Sequence, residues 1–133
     1  MRRMTIGSLA EAGRTSVTTI RFYERAGLMP FPERTAGGHR NYTNDHLRRL
    51  LFIRRARELE FSIEEIGTLL LLAEPARTSC REIQHLAIAH LTKLRQKITE
   101  LTRLERMLAA AVDQCSGKPI PPCAVLELLE YVH

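Results

Sequence analysis

The sequence predicts a mainly α fold: a winged helix-turn-helix, then a long helix suited to an antiparallel coiled coil, then a short loop and a last helix. Three observations predict it. Two short helical segments meet at a tight turn and lead into a Gly-Gly hairpin signal. The stretch from about Ser79 to Gln114 holds no Pro or Gly and is rich in Leu, Ala, Glu, Lys, Arg and Gln, all good helix formers. Its apolar residues recur every seven, the period of a helix that pairs with another.

The first helix is expected over Thr5 to Gly13. Ile6, Leu9 and Ala10 give it an apolar face, and Gly13 is placed as the glycine that closes it. Ser16 is the expected N-cap of a second helix, Val17 to about Ala26, ended by Gly27 with Pro30 beyond. Val17 and Ile20 point inward. Thr18, Thr19, Arg21, Tyr23 and Arg25 are left as a polar, donor-rich outer surface, the face a helix needs to read a DNA major groove.

Gly37-Gly38 then turns a ribbon of two short extended runs decorated by Arg34, His39, Arg40 and Tyr42. Beside a helix-turn-helix, such a ribbon is a wing that can grip flanking phosphates. Asn44 or Thr43 is the expected cap of a third helix through about Leu59. Leu47, Leu50, Leu51 and Ile53 face inward on it, and Arg48, Arg49, Arg54, Arg55 and Arg57 outward. Ser62-Ile63-Glu64-Glu65 is a capping box for a fourth helix, which stops before Pro75.

Charge agrees with this layout. The chain of 133 residues is 44% hydrophobic with a net charge of +5, one globular domain's worth of sequence. Residues 1–57 carry twelve Arg and four acidic residues, a net of +8, whereas residues 58–133 net −3. The cations of the basic end are all Arg, which makes paired bonds with phosphates and guanine edges, so double-stranded DNA is the expected partner. No apolar run reaches the ~20 residues of a membrane span. The basic start Met1-Arg2-Arg3-Met4 leads into no apolar stretch. A cytoplasmic location without membrane attachment is expected.

On the long helix, Cys80, Ala87, Leu94, Leu101, Leu108 and Cys115 are spaced by seven, and Gln84, Leu91, Ile98, Glu105 and Val112 form the companion stripe. The dimer seam is assigned to Ala87, Leu91, Leu94, Ile98, Leu101 and Leu108. At ~1.5 Å per residue, the helix separates Cys80 from Cys115 by ~52 Å, so these thiols cannot meet within one chain. An antiparallel homodimer centred between Leu94 and Leu101 sets residue 80 beside residue 115 of the second copy. Cys123 follows Cys115 after seven residues that include Pro119, Pro121 and Pro122, a loop stiff enough to hold two thiols together. A short apolar helix, Ala124 to Val132, closes the chain. The expected metal site is Cys115 and Cys123 of one chain with Cys80 of the other, a set that suits soft ions.

Thr19-Ile20-Arg21-Phe22-Tyr23-Glu24-Arg25-Ala26-Gly27-Leu28 resembles the recognition-helix signature of the MerR family of bacterial transcription regulators. Gly38-His39-Arg40-Asn41-Tyr42 is similar to that family's wing, and Arg48-Arg49-Leu50-Leu51-Phe52-Ile53 to its next helix. The resemblance implies a homodimer on promoter DNA that, on binding metal, twists the DNA and realigns the −35 and −10 elements for RNA polymerase. It implies Thr18, Thr19, Arg21, Tyr23, Arg34, His39, Arg40 and Tyr42 as DNA contacts. A Cys at 80 marks divalent sensors in the family, and the three-Cys set resembles the mercury(II) branch, with a mercuric-resistance operon as the expected target. The seven-residue loop, where that branch usually has eight, leaves Pb(II) and Cd(II) open. Zn(II) is less favoured, because the loop has no His.

The expected organisation is a DNA-binding domain over 1–75, a dimerisation helix over 79–114, and a metal-binding loop with its helix over 115–133. His39, His46, His85, His90 and His133 are assigned no metal, and the helical His85 and His90 are read as solvated. A thiol redox sensor, with Cys115 and Cys123 joining as a disulfide, is the alternative of another class. An enzyme is not expected, since no phosphate loop or paired nucleophile and base is present.

Overall fold

The computed structural model describes residues 4–76, 79–115 and 123–130. The elements run α1 (Ile6–Ala12), α2 (Val17–Arg25), β1 (Glu33–Arg34), β2 (Arg40–Asn41), α3 (Asn44–Glu58), α4 (Ile63–Leu72), α5 (Cys80–Gln114) and α6 (Ala124–Glu130). The chain gathers into two compact units, Met1–Leu86 and Ala87–His133. The division falls inside α5, because Leu86 still packs against the core of the first unit. No helix among the described residues is long and apolar enough to cross a membrane.

Helix starts follow the capping residues. The Ser16 hydroxyl accepts the Thr19 N–H at 3.0 Å and the Thr5 hydroxyl that of Ser8 at 3.0 Å. The capping box at Ser62 forms as expected: its hydroxyl accepts the Glu65 N–H at 3.0 Å, and its own N–H donates to Glu65 Oε1 at 2.8 Å. At α3, Thr43 precedes the helix and His46 takes the part a Glu plays elsewhere, its Nδ1 accepting the Thr43 N–H at 3.0 Å.

Helix ends differ from the expectation at one glycine. α1, α2 and α3 all close with the same paired backbone bonds, made by Arg14 and Thr15, Gly27 and Leu28, and Glu60 and Phe61. The closing residue is left-handed each time, with φ 51° at Arg14, 80° at Gly27 and 66° at Glu60. Gly27 supplies that conformation for α2 as expected. Gly13 does not supply it for α1: its φ is −86°. A side chain at 13 would instead run into the Leu50 side chain, with Leu50 Cγ at 3.0 Å. Gly13 serves helix packing.

The wing is one residue offset from its expected turn. β1 and β2 pair antiparallel, Glu33 opposite Asn41 and Arg34 opposite Arg40. The Gly38 N–H donates to Thr35 O at 2.9 Å, so Ala36 and Gly37 make the turn, and Gly38 alone is left-handed at φ 81°. Met4 bridges Tyr42 through two backbone bonds of 2.8 and 3.0 Å, an extension of the ribbon that the sequence did not announce.

The core of the first unit collects one face of each helix. Leu9, Ile20, Met29, Tyr42, Leu50, Ile53 and Ile66 are its largest fully buried side chains. Each fully buried Leu, Ile or Met contributes about 1.5–3 kcal/mol. The second unit holds α5 from Ala87 onward with α6. There Met107, Ala110, Ala111 and Gln114 of α5 face Ala124, Glu127 and Leu128 of α6 across a shallow hollow.

Candidate nucleic-acid interface and metal centre

On α2 the structure leaves Thr18, Arg21 and Arg25 exposed and Thr19 half-buried, its hydroxyl 2.8 Å from that of Ser16. On the wing Arg34, His39 and Arg40 are exposed, with Arg34 Nη1 donating to the Gly38 carbonyl at 3.1 Å. These side chains belong to adjoining elements of one unit and carry an excess of positive charge.

Two expected contacts are placed elsewhere. Tyr23 is buried at 9% exposure and Tyr42 at 0%. Their rings complete the core that the short helices are too small to fill with aliphatic groups alone. The Tyr42 hydroxyl donates to Glu24 Oε2 at 3.0 Å. Burial, and then the adjoining Glu24 carboxylate, raise the Tyr42 pKa and keep the phenol a donor. Neither ring is exposed in the single chain.

Sequence reasoning missed Glu24 and His46 as structural groups. Glu24 is a buried carboxylate, 3% exposed. His46 sits edge-on to Tyr42, ring centroids 5.2 Å apart. Glu24 falls in a polar run and His46 in a surface-like one, and hydropathy marks neither. His90, read as solvated, is buried as well. Its place on α5 is off the heptad stripe.

Of the three thiols, Cys115 and Cys123 converge. Their Sγ atoms are 3.8 Å apart, and both cysteines are free and partly buried. Two thiolates about 2.3 Å from one tetrahedral ion are roughly 3.8 Å apart, so this pair fits two corners of such a site. Cys115 follows the last residue of α5, and Cys123 precedes the first of α6, so two helix ends position them. The backbone N–H of Leu126 lowers the Cys123 pKa, helped by the Cys115 thiol and the Val125 N–H and opposed by burial. A thiol favoured as thiolate is a better ligand for a soft cation.

Cys80 begins α5 and is exposed. Among the described residues no three metal-ligating groups converge within the chain. Residues 116–122, with the three loop prolines, lie outside the described residues. The expected seam stands open: Ala87 is exposed, Leu91, Ile98, Leu101 and Leu108 are exposed by 43–62%, and Leu94 is half-buried.

Comparison with known proteins places these features in company. Residues 4–72 match the family described as "MerR HTH family regulatory protein", and residues 47–111 match "MerR, DNA binding". The mercuric resistance operon regulatory protein of Bacillus cereus is 38% identical over 128 residues, covering 96% of this chain and 97% of that one. The structure is similar to that of the transcription regulator PbrR691 of Ralstonia metallidurans CH34 in complex with lead(II). The TM-score is 0.77 at 40% identity, covering 95% of this chain and 98% of the other. It is also similar to the regulator MerR of Bacillus megaterium MB1 in complex with mercury(II) ion, with TM-score 0.68, 33% identity and coverage of 96% and 100%.

Proposed function

The chain belongs to the MerR family of helix-turn-helix regulatory proteins, and on that premise we propose that it is a mercury(II)-responsive regulator of a metal-resistance operon. It is a metal-responsive transcription regulator, not an enzyme. The homodimer binds a two-fold promoter site through Thr18, Thr19, Arg21, Arg34, His39 and Arg40 of each copy. Each metal site takes Cys115 and Cys123 from one copy and Cys80 from the other, giving two sites per dimer. Bound metal draws the three thiolates together. The state so favoured holds the promoter twisted, with its −35 and −10 elements aligned for RNA polymerase. Without metal the dimer represses or idles.

The observation that carries this reading is the 3.8 Å approach of two free thiols at the end of a helix whose apolar stripe is open. Mercury(II) titrated into the protein saturates at two ions per dimer. Cys80→Ser, Cys115→Ser and Cys123→Ser each abolish metal-induced transcription and spare promoter binding. Full induction of the Cys80→Ser protein would overturn the shared site.

One observation favours a second reading: the lead(II)-bound relative is the more similar of the two metal-bound structures named above. The protein is then a Pb(II)-, Cd(II)- or Zn(II)-responsive regulator of an efflux operon. Promoter activation measured across Hg(II), Pb(II), Cd(II) and Zn(II) decides between them. The thiol pair also frames a redox alternative. A peroxide would take two electrons and two protons from the thiols, leaving an Sγ–Sγ bond and water. Induction by peroxide without metal identifies it.

A further inference from the structure

Three elements of the first unit meet at one buried polar contact. The Tyr42 hydroxyl, just beyond β2, donates to Glu24 Oε2 on α2 at 3.0 Å. The Tyr42 ring stands edge-on to the His46 ring of α3. His46 Nδ1 accepts the Thr43 N–H at 3.0 Å, and the Thr43 hydroxyl lies 3.1 Å from the same atom. Tyr42 is 0% and Glu24 3% exposed, so their bond is shielded from solvent. A carboxylate buried at such a place is costly unless it is bonded.

The elements so joined are the helix and the wing whose exposed side chains the proposed function sets on DNA. The wing is otherwise slight, two strands of two residues each. Two-stranded ribbons of that size have little stability of their own. Their direction relative to α2 has to come from packing and from directional bonds. The hydroxyl–carboxylate bond joins α2 to the base of the wing, and His46 backs the Tyr42 ring from the start of α3.

We propose that Glu24 and His46 are positioning residues for DNA recognition: they clamp Tyr42 between α2 and α3 and thereby fix the angle at which the wing meets the phosphates. The inference rests on the DNA-binding reading above. A change at Tyr42 then acts on DNA through Arg34 and Arg40, though Tyr42 touches no DNA. The clamp also needs a neutral His46. A proton on Nδ1 would set an N–H against the Thr43 N–H and remove the acceptor. Burial holds His46 below its ordinary value of 6.5. Glu24 of α2, Asp45 of α3 and Glu33 of β1 oppose that shift, and Arg49 of α3 adds to it. A lowered value gives a contribution that is whole above about pH 6.5 and is lost as pH falls through the lowered value.

The test uses the full-length protein and a DNA duplex selected in vitro for binding to it. Absence of any selectable duplex would refute the DNA-binding reading itself, separately from the clamp. Tyr42→Phe is expected to weaken binding about tenfold. It should lower the slope of log affinity against log salt as Arg40→Ala does, because fewer phosphates are engaged. Tyr42→Phe combined with Arg40→Ala should bind within about twofold of Arg40→Ala alone. His46→Gln, whose amide oxygen can accept the same N–H, should bind within about threefold at pH 7.5. It should also lose the decline in binding expected of the unsubstituted protein as pH falls below 6.5 through the lowered His46 value. An unchanged salt slope in Tyr42→Phe, penalties that multiply with Arg40→Ala, or the same pH profile in His46→Gln would each overturn the proposal.

Discussion

At the scale of single residues, the left-handed positions separate what a residue does from what its type advertises. Glu60 closes α3 at φ 66°, a conformation that costs a side-chain-bearing residue about 1–2 kcal/mol. Glycine pays more backbone entropy on folding, so Glu60→Gly should raise stability by about 0.5–1 kcal/mol, read from a urea transition. Gly13 predicts the opposite sign. A methyl group there meets Leu50, which is 1% exposed, and overpacking of this kind costs about 1–3 kcal/mol. Gly13→Ala should therefore lower the melting temperature by several degrees or more. Unchanged melting would mean that Leu50 moves aside at no cost. One pair of substitutions at helix ends thus distinguishes a glycine kept for space from a site where glycine is missing.

At the scale of elements, α5 is the decisive case. Its apolar stripe is exposed in the single chain, and the proposed antiparallel second copy would offer it a surface of matching period. Ile98 and Leu101 are each 62% exposed in the single chain and sit at the centre of the proposed seam. Leu101→Asp should convert the proposed dimer to monomer in sedimentation and, with it, abolish metal binding that uses Cys80 of the second copy. A dimer that survives this substitution would rule out the seam. The same helix shows how much was legible in advance. Ser16 and Ser62 announced their helix starts because a hydroxyl that satisfies an orphan N–H leaves a local mark. The heptad and the spacing of Cys115 and Cys123 were legible for a similar reason, since periodicity and a short loop are local. Tyr23 and Tyr42 are buried where an outer surface was expected, because a tyrosine can serve a surface or a core and only the tertiary packing chooses. Glu24 and His46 were invisible because their partners lie on other elements or use an unusual acceptor. The turn at Ala36-Gly37 was displaced by one residue because Gly37 and Gly38 offer the same freedom and the strand register decides between them.

At the scale of the whole molecule, charge divides the chain along the line the proposed function draws. Residues 1–57 carry a net +8 and residues 58–133 a net −3. DNA affinity should fall about a thousandfold or more between 50 and 200 mM sodium nitrate if some six to ten phosphates are neutralised. Metal affinity measured without DNA should move by less than about threefold over the same range, because thiolate–metal bonds are short and little screened. Parallel salt dependence of the two would show that the metal-binding and DNA-binding ends are not separable.

The bare stripe of α5 has a consequence for a living cell. A chain that has folded but found no companion displays Ile98, Leu101 and Leu108 to its surroundings. Chaperones and proteases sample exposed apolar surface of this kind. If the proposed dimer covers this stripe, a lone copy should be cleared faster than a paired one, which a pulse-chase comparison with Leu101→Asp would read.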